Sequence, residues 1–269
     1  MHISIILCNF AGKNHITMAQ IAFITGASSG IGEACARKFA AGGYTLLLNA
    51  RNTAKLQALQ TELQTTYGVE VVLLPFDVRD RKAAEAALQQ LPIEYRSIDV
   101  LVNNAGLALG IDKEYEGTEE NYDTMIETNI TALLMMTRLV VPSMVARGKG
   151  HIINIGSVAG DAAYPGGSVY CATKAAVKVL SDGLRMDLVD TPLRVTNVKP
   201  GLVETNFSVT RFAGDKERAD NVYKGIKPLT GTDIAEVVYF AASAPAHVQI
   251  AEVLVLATHQ ASGSIVYRK

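Results

Sequence analysis

Tyr170 and Lys174 have the residue types and the spacing of a catalytic pair. They lie about one helical turn apart, so both side chains share one face of a predicted helix. A free tyrosine has a pKa near ~10 and is a poor base at neutral pH, whereas a neighbouring ammonium group favours its phenolate form. The pair could therefore exchange a proton with a substrate. Because the same spacing also occurs on solvent-exposed helices, this interpretation depends on the residues around it.

Two polar residues upstream fit the same chemistry. Ser157 follows the apolar run His151–Gly156, at the expected carboxyl end of a strand, where ligands bind in parallel sheets. Its hydroxyl could hold a substrate oxygen and stabilise the charge that develops there. Asn129 falls in an apolar helical stretch, where a buried amide needs hydrogen-bond partners. It either serves the site or makes purely internal hydrogen bonds.

A glycine-rich turn follows the first apolar run and opens a helix. Residues 25–32 read TGASSGIG. A phosphate can approach backbone N–H groups only where side chains are missing, and Gly26, Gly30 and Gly32 provide such places at a helix N-terminus. The turn therefore predicts a dinucleotide-binding site, although a tight turn without a ligand remains an alternative. The same turn supplies three further candidate cofactor-binding residues: Ser28, Ser29 and Ile31.

Short apolar runs alternate with amphipathic stretches throughout the chain. The runs span residues 21–25, 45–49, 69–76, 98–102, 151–155, 194–198 and 250–256. Nearly continuous apolar runs are typical of strands that helices cover on both faces, and the alternation indicates βαβ units with right-handed crossovers. We predict an α/β fold: a doubly wound (Rossmann) parallel seven-stranded sheet with helices on both faces, in a single domain over residues 18–269.

Local signals mark several element boundaries. Asn52, Asp80 and Thr118 are predicted to cap helices. The helix after Thr118 is expected to reach about residue 146, with Pro142 kinking or ending it. Residues 1–17 are interpreted as an N-terminal extension outside the fold, because a second methionine, Met18, directly precedes the first run.

Composition excludes several classes of function. The formal net charge is −1 with no basic patch, which argues against a nucleic-acid partner or a membrane surface. No apolar run approaches the ~18 residues that span a bilayer. The cysteines Cys8, Cys35 and Cys171 are widely separated and lack metal-ligand spacing, so we expect reduced thiols in a cytoplasmic protein and no metal.

The glycine motif and the four polar residues together resemble the short-chain dehydrogenase/reductase superfamily. Asn129, Ser157, Tyr170 and Lys174 match the catalytic tetrad of that family in order and context. The resemblance implies that Lys174 also bonds the nicotinamide ribose, and that Asn129 holds a water that relays protons to it. Ala132 departs from the glycine that many members have three residues after the asparagine, and we expect this difference to change the bend of the helix slightly without abolishing the relay.

The residues after the second run indicate which nicotinamide cofactor is bound. An acidic residue there would bond the ribose of NAD, whereas Arg51 suits a 2′-phosphate, so we predict NADP(H). A solvated arginine at a helix start, beside Asn52, is the simpler alternative. The resemblance implies further cofactor contacts at Asn52, Asp77, Val78, Asn104, Ala105, Gly106, Tyr170, Lys174, Pro200, Gly201, Val203 and Thr205.

Toward the C-terminus the resemblance narrows to one group of the superfamily. Residues 103–110 read NNAGLALG and residues 200–215 read PGLVETNFSVTRFAGD. These segments resemble the NADP-dependent 3-hydroxy acid dehydrogenases, which include serine and L-allo-threonine dehydrogenases. The resemblance implies hydride transfer between NADP(H) and a short 3-hydroxy acid or its semialdehyde, and a homotetramer. L-serine, L-allo-threonine, 3-hydroxypropionate and 3-hydroxyisobutyrate are substrates of this type.

A carboxylate substrate needs a cation in the site. Arg211 lies in the segment after Gly201 and can bind a carboxylate through two hydrogen bonds. We therefore predict substrate contacts from Ser157, Tyr170 and Arg211. An ion pair between Arg211 and Asp215 on the surface is the alternative.

Two other functions remain open from the sequence. A 3-oxoacyl-thioester reductase or a broad carbonyl reductase would share the catalytic tetrad and differ only in the substrate pocket. A non-catalytic NADP-binding sensor could use the same fold, since fold does not fix function. The complete tetrad argues against the sensor.

Overall fold

The computed structural model describes residues 19–269, and the extension predicted for residues 1–17 lies outside them. Its strands are β1 (Ile21–Thr25), β2 (Thr45–Asn49), β3 (Val71–Leu74), β4 (Val100–Asn103), β5 (His151–Ile155), β6 (Arg194–Pro200), β7 (Val203–Glu204), β8 (Leu229–Thr230) and β9 (Glu252–Val255). Within the described residues, seven strands pair in parallel in the order β3-β2-β1-β4-β5-β6-β9. The short strands β7 and β8 pair separately.

The helices lie between these strands. They are α1 (Gly30–Ala41), α2 (Thr53–Tyr67), α3 (Arg81–Gln89), α4 (Glu119–Ile126), α5 (Ala132–Arg147), α6 (Ser168–Asp187), α7 (Phe207–Arg211), α8 (Lys216–Asn221) and α9 (Gly231–Ser243). The predicted caps form, because the side chains of Asn52, Asp80 and Thr118 each accept a hydrogen bond from the backbone N–H three residues on.

Two hydrophobic cores cover the two faces of the sheet. Successive β1 residues alternate between them: Ala22 and Ile24 pack with α1, α2 and α9, whereas Ile21 and Phe23 pack with α3 and α5. This period of two is what a strand buried on both faces requires. The predicted doubly wound sheet is confirmed, with β3 shorter at both ends than the apolar run that predicted it.

The long helix differs from its prediction in one respect. Pro142 does not end it, because α5 continues to Arg147. The break in α-helical hydrogen bonding lies upstream, in a π-helical turn over Glu127–Thr131 that contains Asn129. Such turns are rare and occur mostly at functional sites.

The same helical segment contradicts the expectation that no apolar stretch of the chain is long enough to span a bilayer. By length and composition alone, Glu119–Arg147 is long and apolar enough to cross a membrane, with a mean hydropathy of 1.4 over its most apolar window. Met136, Val140 and Met144 on this segment are buried against the sheet. Packing in the core of the domain therefore accounts for the apolar character that we underestimated.

Candidate active site

A cavity of about 900 Å³ opens at the carboxyl ends of the strands, where α/β sheets bind their ligands. The turns after β1 to β6 all contribute to its wall. Every predicted site residue lines this cavity except Gly32 and Asn129, which lie behind it.

The glycine turn leaves its backbone exposed to the cavity. Gly26 and Gly30 have φ angles of +66° and +57°, which side chains strongly disfavour. A Cβ on Gly32 would lie 2.4 Å from the Gly26 oxygen, so Gly32 permits the turn to pack closely on α1. The Asn104 side chain donates to the oxygens of Thr25 (2.9 Å) and Gly26 (3.3 Å) and fixes the turn to the end of β4. These features form a cradle that suits a diphosphate at the N-terminus of α1.

Two guanidinium groups lie at the end of the cavity beyond β2 and β3. The Arg51 side chain is 68% exposed and its Nη1 atom is 3.8 Å from the Asp77 carboxylate. Arg79, which the sequence analysis missed, donates to the same carboxylate at 2.8 Å. The hydrogen bond from Arg79 holds the pKa of Asp77 below its usual value. Arg51 is therefore available to a phosphate, because Arg79 is the main partner of Asp77.

Tyr170 and Lys174 extend from α6 into the centre of the cavity wall, and both are buried. The Lys174 ammonium donates to the Ile155 oxygen at 2.8 Å. Burial lowers the pKa of Lys174 to about 8. Burial also raises the pKa of Tyr170, and a hydrogen bond with Ser157 acts in the opposite direction. At neutral pH, Lys174 thus carries its proton and Tyr170 is an acid, the state that suits protonation of a carbonyl oxygen.

Ser157 begins the segment after β5. Its hydroxyl accepts from the Ala159 N–H at 3.1 Å and lies 3.5 Å from the Pro200 oxygen at the end of β6. These contacts place the hydroxyl beside Tyr170, between two neighbouring strands of the sheet.

Asn129 makes internal hydrogen bonds. Its amide nitrogen donates to the Leu107 oxygen (2.8 Å) and to Thr173 (3.0 Å), and its oxygen accepts from the Leu107 N–H (2.9 Å). The side chain joins α6 to the segment after β4, which supports the structural alternative for this amide. A Cβ on Gly106 would lie 3.2 Å from the Asn129 oxygen and 3.4 Å from the Lys174 nitrogen, so this glycine permits their close approach. The proton relay through Asn129 stays a prediction.

Arg211 extends from α7 across the opening toward Tyr170. Its Nε atom donates to the Gly110 oxygen and its Nη1 atom to the Tyr164 hydroxyl, each at 2.9 Å. The guanidinium carbon lies 5.5 Å from the ring centre of Tyr164 and 5.9 Å from that of Tyr170. The alternative ion pair with Asp215 is not found among the described residues, since the Asp215 side chain caps α8. Arg211 thus contributes a cation beside Tyr170.

Several cavity residues were missed by the sequence analysis. Tyr164 and Arg79 each follow a predicted site residue closely, so proximity to Ser157 and Asp77 was a usable signal. The C-terminal residues had no local signal, because they reach the cavity only when the chain returns over β6 and Gln260 accepts from the Leu202 N–H at 2.8 Å. The missed C-terminal residues on the cavity wall are Gln260, Gly263, Ser264, Val266 and Arg268.

Comparison with known proteins places this chain in a family. A family model described as short chain dehydrogenase matches residues 20–216. This chain belongs to the short-chain dehydrogenase family. A solved structure described as the closed form of serine dehydrogenase complexed with NADP⁺ superposes with a TM-score of 0.87 at 43% identity. The match covers 93% of this chain and all of that one, so the family's fold extends over the described residues.

Curated members of the family cover nearly the whole chain. The NADP-dependent 3-hydroxy acid dehydrogenase of Schizosaccharomyces pombe is 47% identical over 247 residues, which are 91% of this chain and 95% of that protein. A protein of the same name from Escherichia coli K12 is 46% identical and covers 86% of this chain and 92% of its own length. The serine 3-dehydrogenase of Agrobacterium fabrum is 41% identical, with 94% and 100% covered.

Proposed function

We propose that this short-chain dehydrogenase transfers a hydride between NADP(H) and a short 3-hydroxy acid or its semialdehyde. The relatives described above are 41–47% identical to this chain, and their names state this activity. One observation carries the substrate class: the Arg211 guanidinium lies beside Tyr170, in the same cavity as the predicted cofactor cradle. A single bound molecule can therefore present its hydroxyl to Tyr170 and its carboxylate to Arg211.

The residues present fit NADP(H). The glycine cradle and the N-terminus of α1 would hold the diphosphate. Arg51, largely exposed and with only a distant ion pair to Asp77, would bind the 2′-phosphate, with Arg79 close by. When bound, the reduced cofactor supplies the hydride for carbonyl reduction, and the oxidised cofactor accepts it from the alcohol.

Tyr170 moves the proton in this proposal. In reduction its hydroxyl donates a proton to the carbonyl oxygen, and in oxidation its phenolate accepts the proton of the alcohol. The Lys174 ammonium stabilises the phenolate by its charge. The Ser157 hydroxyl donates a hydrogen bond to the substrate oxygen, where negative charge develops in the transition state.

Arg211 orients the substrate through its carboxylate. Gly110 and Tyr164 hold the guanidinium in place, so little conformational entropy is lost when an acid binds. This fixed cation favours acids over neutral alcohols of the same length.

Initial rates of NADP⁺ reduction with a substrate panel test the proposal. The panel contains L-serine, L-allo-threonine, 3-hydroxypropionate, 3-hydroxyisobutyrate and a neutral secondary alcohol, each also assayed with NAD⁺. We expect turnover of the acids with NADP⁺. Turnover of the neutral alcohol alone would favour the broad carbonyl reductase, and activity only on 3-oxoacyl thioesters would favour the thioester reductase.

The Tyr170→Phe variant separates an enzyme from a non-catalytic NADP-binding sensor. It is expected to lose turnover and to keep NADPH binding, because the cradle at α1 is unchanged. Cofactor fluorescence measures the binding. Wild-type protein that binds NADPH tightly but turns over none of the substrates above would support the sensor.

We also propose a cytoplasmic homotetramer. Val179, Met186 and Val189 along and just after α6 and Phe240 on α9 are apolar side chains more than 60% exposed. Such exposed apolar positions on two separate helices fit two interfaces of a symmetric assembly. Light scattering is expected to give four times the chain mass, and a monomer would contradict the proposal. The buried free thiols Cys35 and Cys171 fit a reducing compartment, which cell fractionation tests.

A further inference from the structure

Lys199 is a buried charge that the mechanism above does not use. It lies near the end of β6, and its side chain is only 6% exposed. It directly precedes Pro200, whose oxygen faces the Ser157 hydroxyl at 3.5 Å. An ammonium group removed from water is costly unless carboxylates compensate for the lost hydration.

Two carboxylates surround this ammonium group. The Lys199 nitrogen lies 2.8 and 3.0 Å from the two oxygens of Asp161, and 2.6 Å from one oxygen of Glu252. Burial alone would lower the pKa of Lys199, but the hydrogen bonds to Asp161 and Glu252 outweigh it and raise the pKa above its usual value. Lys199 is therefore charged throughout the neutral pH range. The two carboxylates are partly exposed, at 35% and 33%, so water solvates their outer sides.

Asp161 ends the short segment that Ser157 begins. Between them lies a single 3₁₀ turn, Val158–Gly160. Ser157 caps this turn with its side chain, and the Asp161 N–H donates to the Val158 oxygen at 3.1 Å. A displacement of Asp161 is therefore transmitted through one hydrogen-bonded turn to the Ser157 hydroxyl.

The other side of this turn packs on the catalytic helix. A Cβ on Gly160 would lie 2.6 Å from the Lys174 oxygen, so the turn touches the α6 backbone directly. The segment is thus held between α6 and the Lys199 ammonium. The Lys199 ammonium joins the Asp161 end of this segment to β6, as the contact with the Pro200 oxygen joins the Ser157 end.

We propose that Lys199 is a positioning residue, which fixes Asp161 and thereby holds the Ser157 hydroxyl beside Tyr170. This inference rests on the proposed catalytic role of Ser157, because Lys199 acts through that residue. Glu252 compensates the charge of Lys199 from the neighbouring strand β9, and the partners of its carboxylate among the described residues are Asn197 and Lys199 on β6.

A kinetic double-mutant cycle tests the proposal. Lys199→Met is expected to lower kcat by about 10- to 100-fold, the cost of a catalytic group displaced by a fraction of an ångström to about 1 Å. The KM for NADPH should change less than kcat, because the ion pairs of Lys199 join it to Asp161 and Glu252 and not to the glycine cradle at α1. In a Ser157→Ala background, Lys199→Met should lower kcat by less than about twofold, since the group it positions is already gone.

Matched variants separate positioning from general stability. Asp161→Asn, at a partly exposed site, should reproduce the pattern of Lys199→Met even if the latter folds poorly. Lys149→Met breaks a 2.9 Å ion pair with the buried Asp99 at the amino end of β4, and should leave kcat unchanged. An equal loss of kcat from Lys199→Met in the wild-type and Ser157→Ala backgrounds would refute the positioning role.

Hydrogen exchange gives a readout that does not need turnover. The amides of residues 159–161 are expected to exchange faster in Lys199→Met and at the wild-type rate in Lys149→Met. Unchanged exchange in Lys199→Met would overturn the proposal, whatever the substrate. If the protein is inactive on hydroxy acids but turns over another carbonyl compound, the proposed function is contradicted. The double-mutant cycle can then still be measured with that compound.

Discussion

Replacement of Arg211 by leucine removes the cation that we assign to the substrate carboxylate. Leucine keeps part of the apolar contact with the rings of Tyr164 and Tyr170. The hydride-transfer end of the site, around Ser157 and Lys174, is unchanged. The variant therefore separates carboxylate binding from the chemistry.

The magnitude follows from the donors that Arg211 has left. Gly110 and Tyr164 occupy Nε and one hydrogen of Nη1, and Nη2 makes no hydrogen bond among the described residues. Three of the five N–H donors thus remain, and a carboxylate can accept hydrogen bonds from two of them. Hydrogen bonds to charged groups contribute about 1.5–3 kcal/mol each, and since such contributions are not additive we take about 3 kcal/mol for the pair. The expected loss in kcat/KM is then about 150-fold for an acid.

Steady-state kinetics on 3-hydroxypropionate and a neutral secondary alcohol measure this loss. The alcohol should lose less than about threefold, because its oxidation does not use the cation. Arg211→Lys keeps the positive charge but loses the planar guanidinium with its paired N–H donors. Its kcat/KM for the acid is expected to lie between those of the wild type and Arg211→Leu. Tyr164→Phe removes one hydrogen bond that holds the guanidinium, and it should lower kcat/KM for the acid less than either Arg211 variant. Equal losses for acid and alcohol in Arg211→Leu would show that Arg211 does not bind the substrate carboxylate.

Three further predictions concern the cofactor and stability. Arg51→Asp should shift the ratio of kcat/KM for NADP⁺ over NAD⁺ by at least about tenfold toward NAD⁺, because a carboxylate repels the 2′-phosphate; an unchanged ratio would contradict the assignment. Gly32→Ala should weaken NADPH binding measured by fluorescence, since its Cβ would meet the Gly26 oxygen at 2.4 Å and displace the turn; wild-type affinity would show that the turn can adjust. Burial lowers the pKa of His151 to about 3, so the unfolded chain binds a proton that the folded chain does not as pH falls below ~6.5. This single group should cost about 2 kcal/mol of unfolding free energy between pH 7 and pH 5; urea unfolding of His151→Asn should lack this component, and an identical pH dependence would contradict it.

Most of the fold was predictable because local chemistry and tertiary packing agree. A strand such as β1, buried on both faces, is apolar at its first four positions, and the caps Asn52 and Asp80 are visible in the sequence. Of the two effects predicted for Pro142, a kink or an end to the helix, the end does not occur, because the rest of α5 packs against the sheet and the helix continues to Arg147. The π-helical turn at Asn129 had no signal in composition or periodicity.

The site was predictable where residues next to one another in sequence share a strand end or a helix face. The glycine turn and the pair Tyr170 and Lys174 are of this kind. Contacts between distant segments had no such signal. Arg211 meets Tyr164 across 47 positions, and Lys199 meets Asp161 across 38, so only the folded chain reveals these partners.

The rate of NADP⁺ reduction by 3-hydroxypropionate, measured beside its methyl ester, shows whether the site selects substrates by their carboxylate. The two compounds share the hydroxyl that Tyr170 would deprotonate and differ in the charge that Arg211 would bind. We expect a kcat/KM at least about 100-fold higher for the acid, corresponding to two hydrogen bonds from Arg211. An ester oxidised as well as the acid, or better, would contradict the assignment of this protein to 3-hydroxy acids.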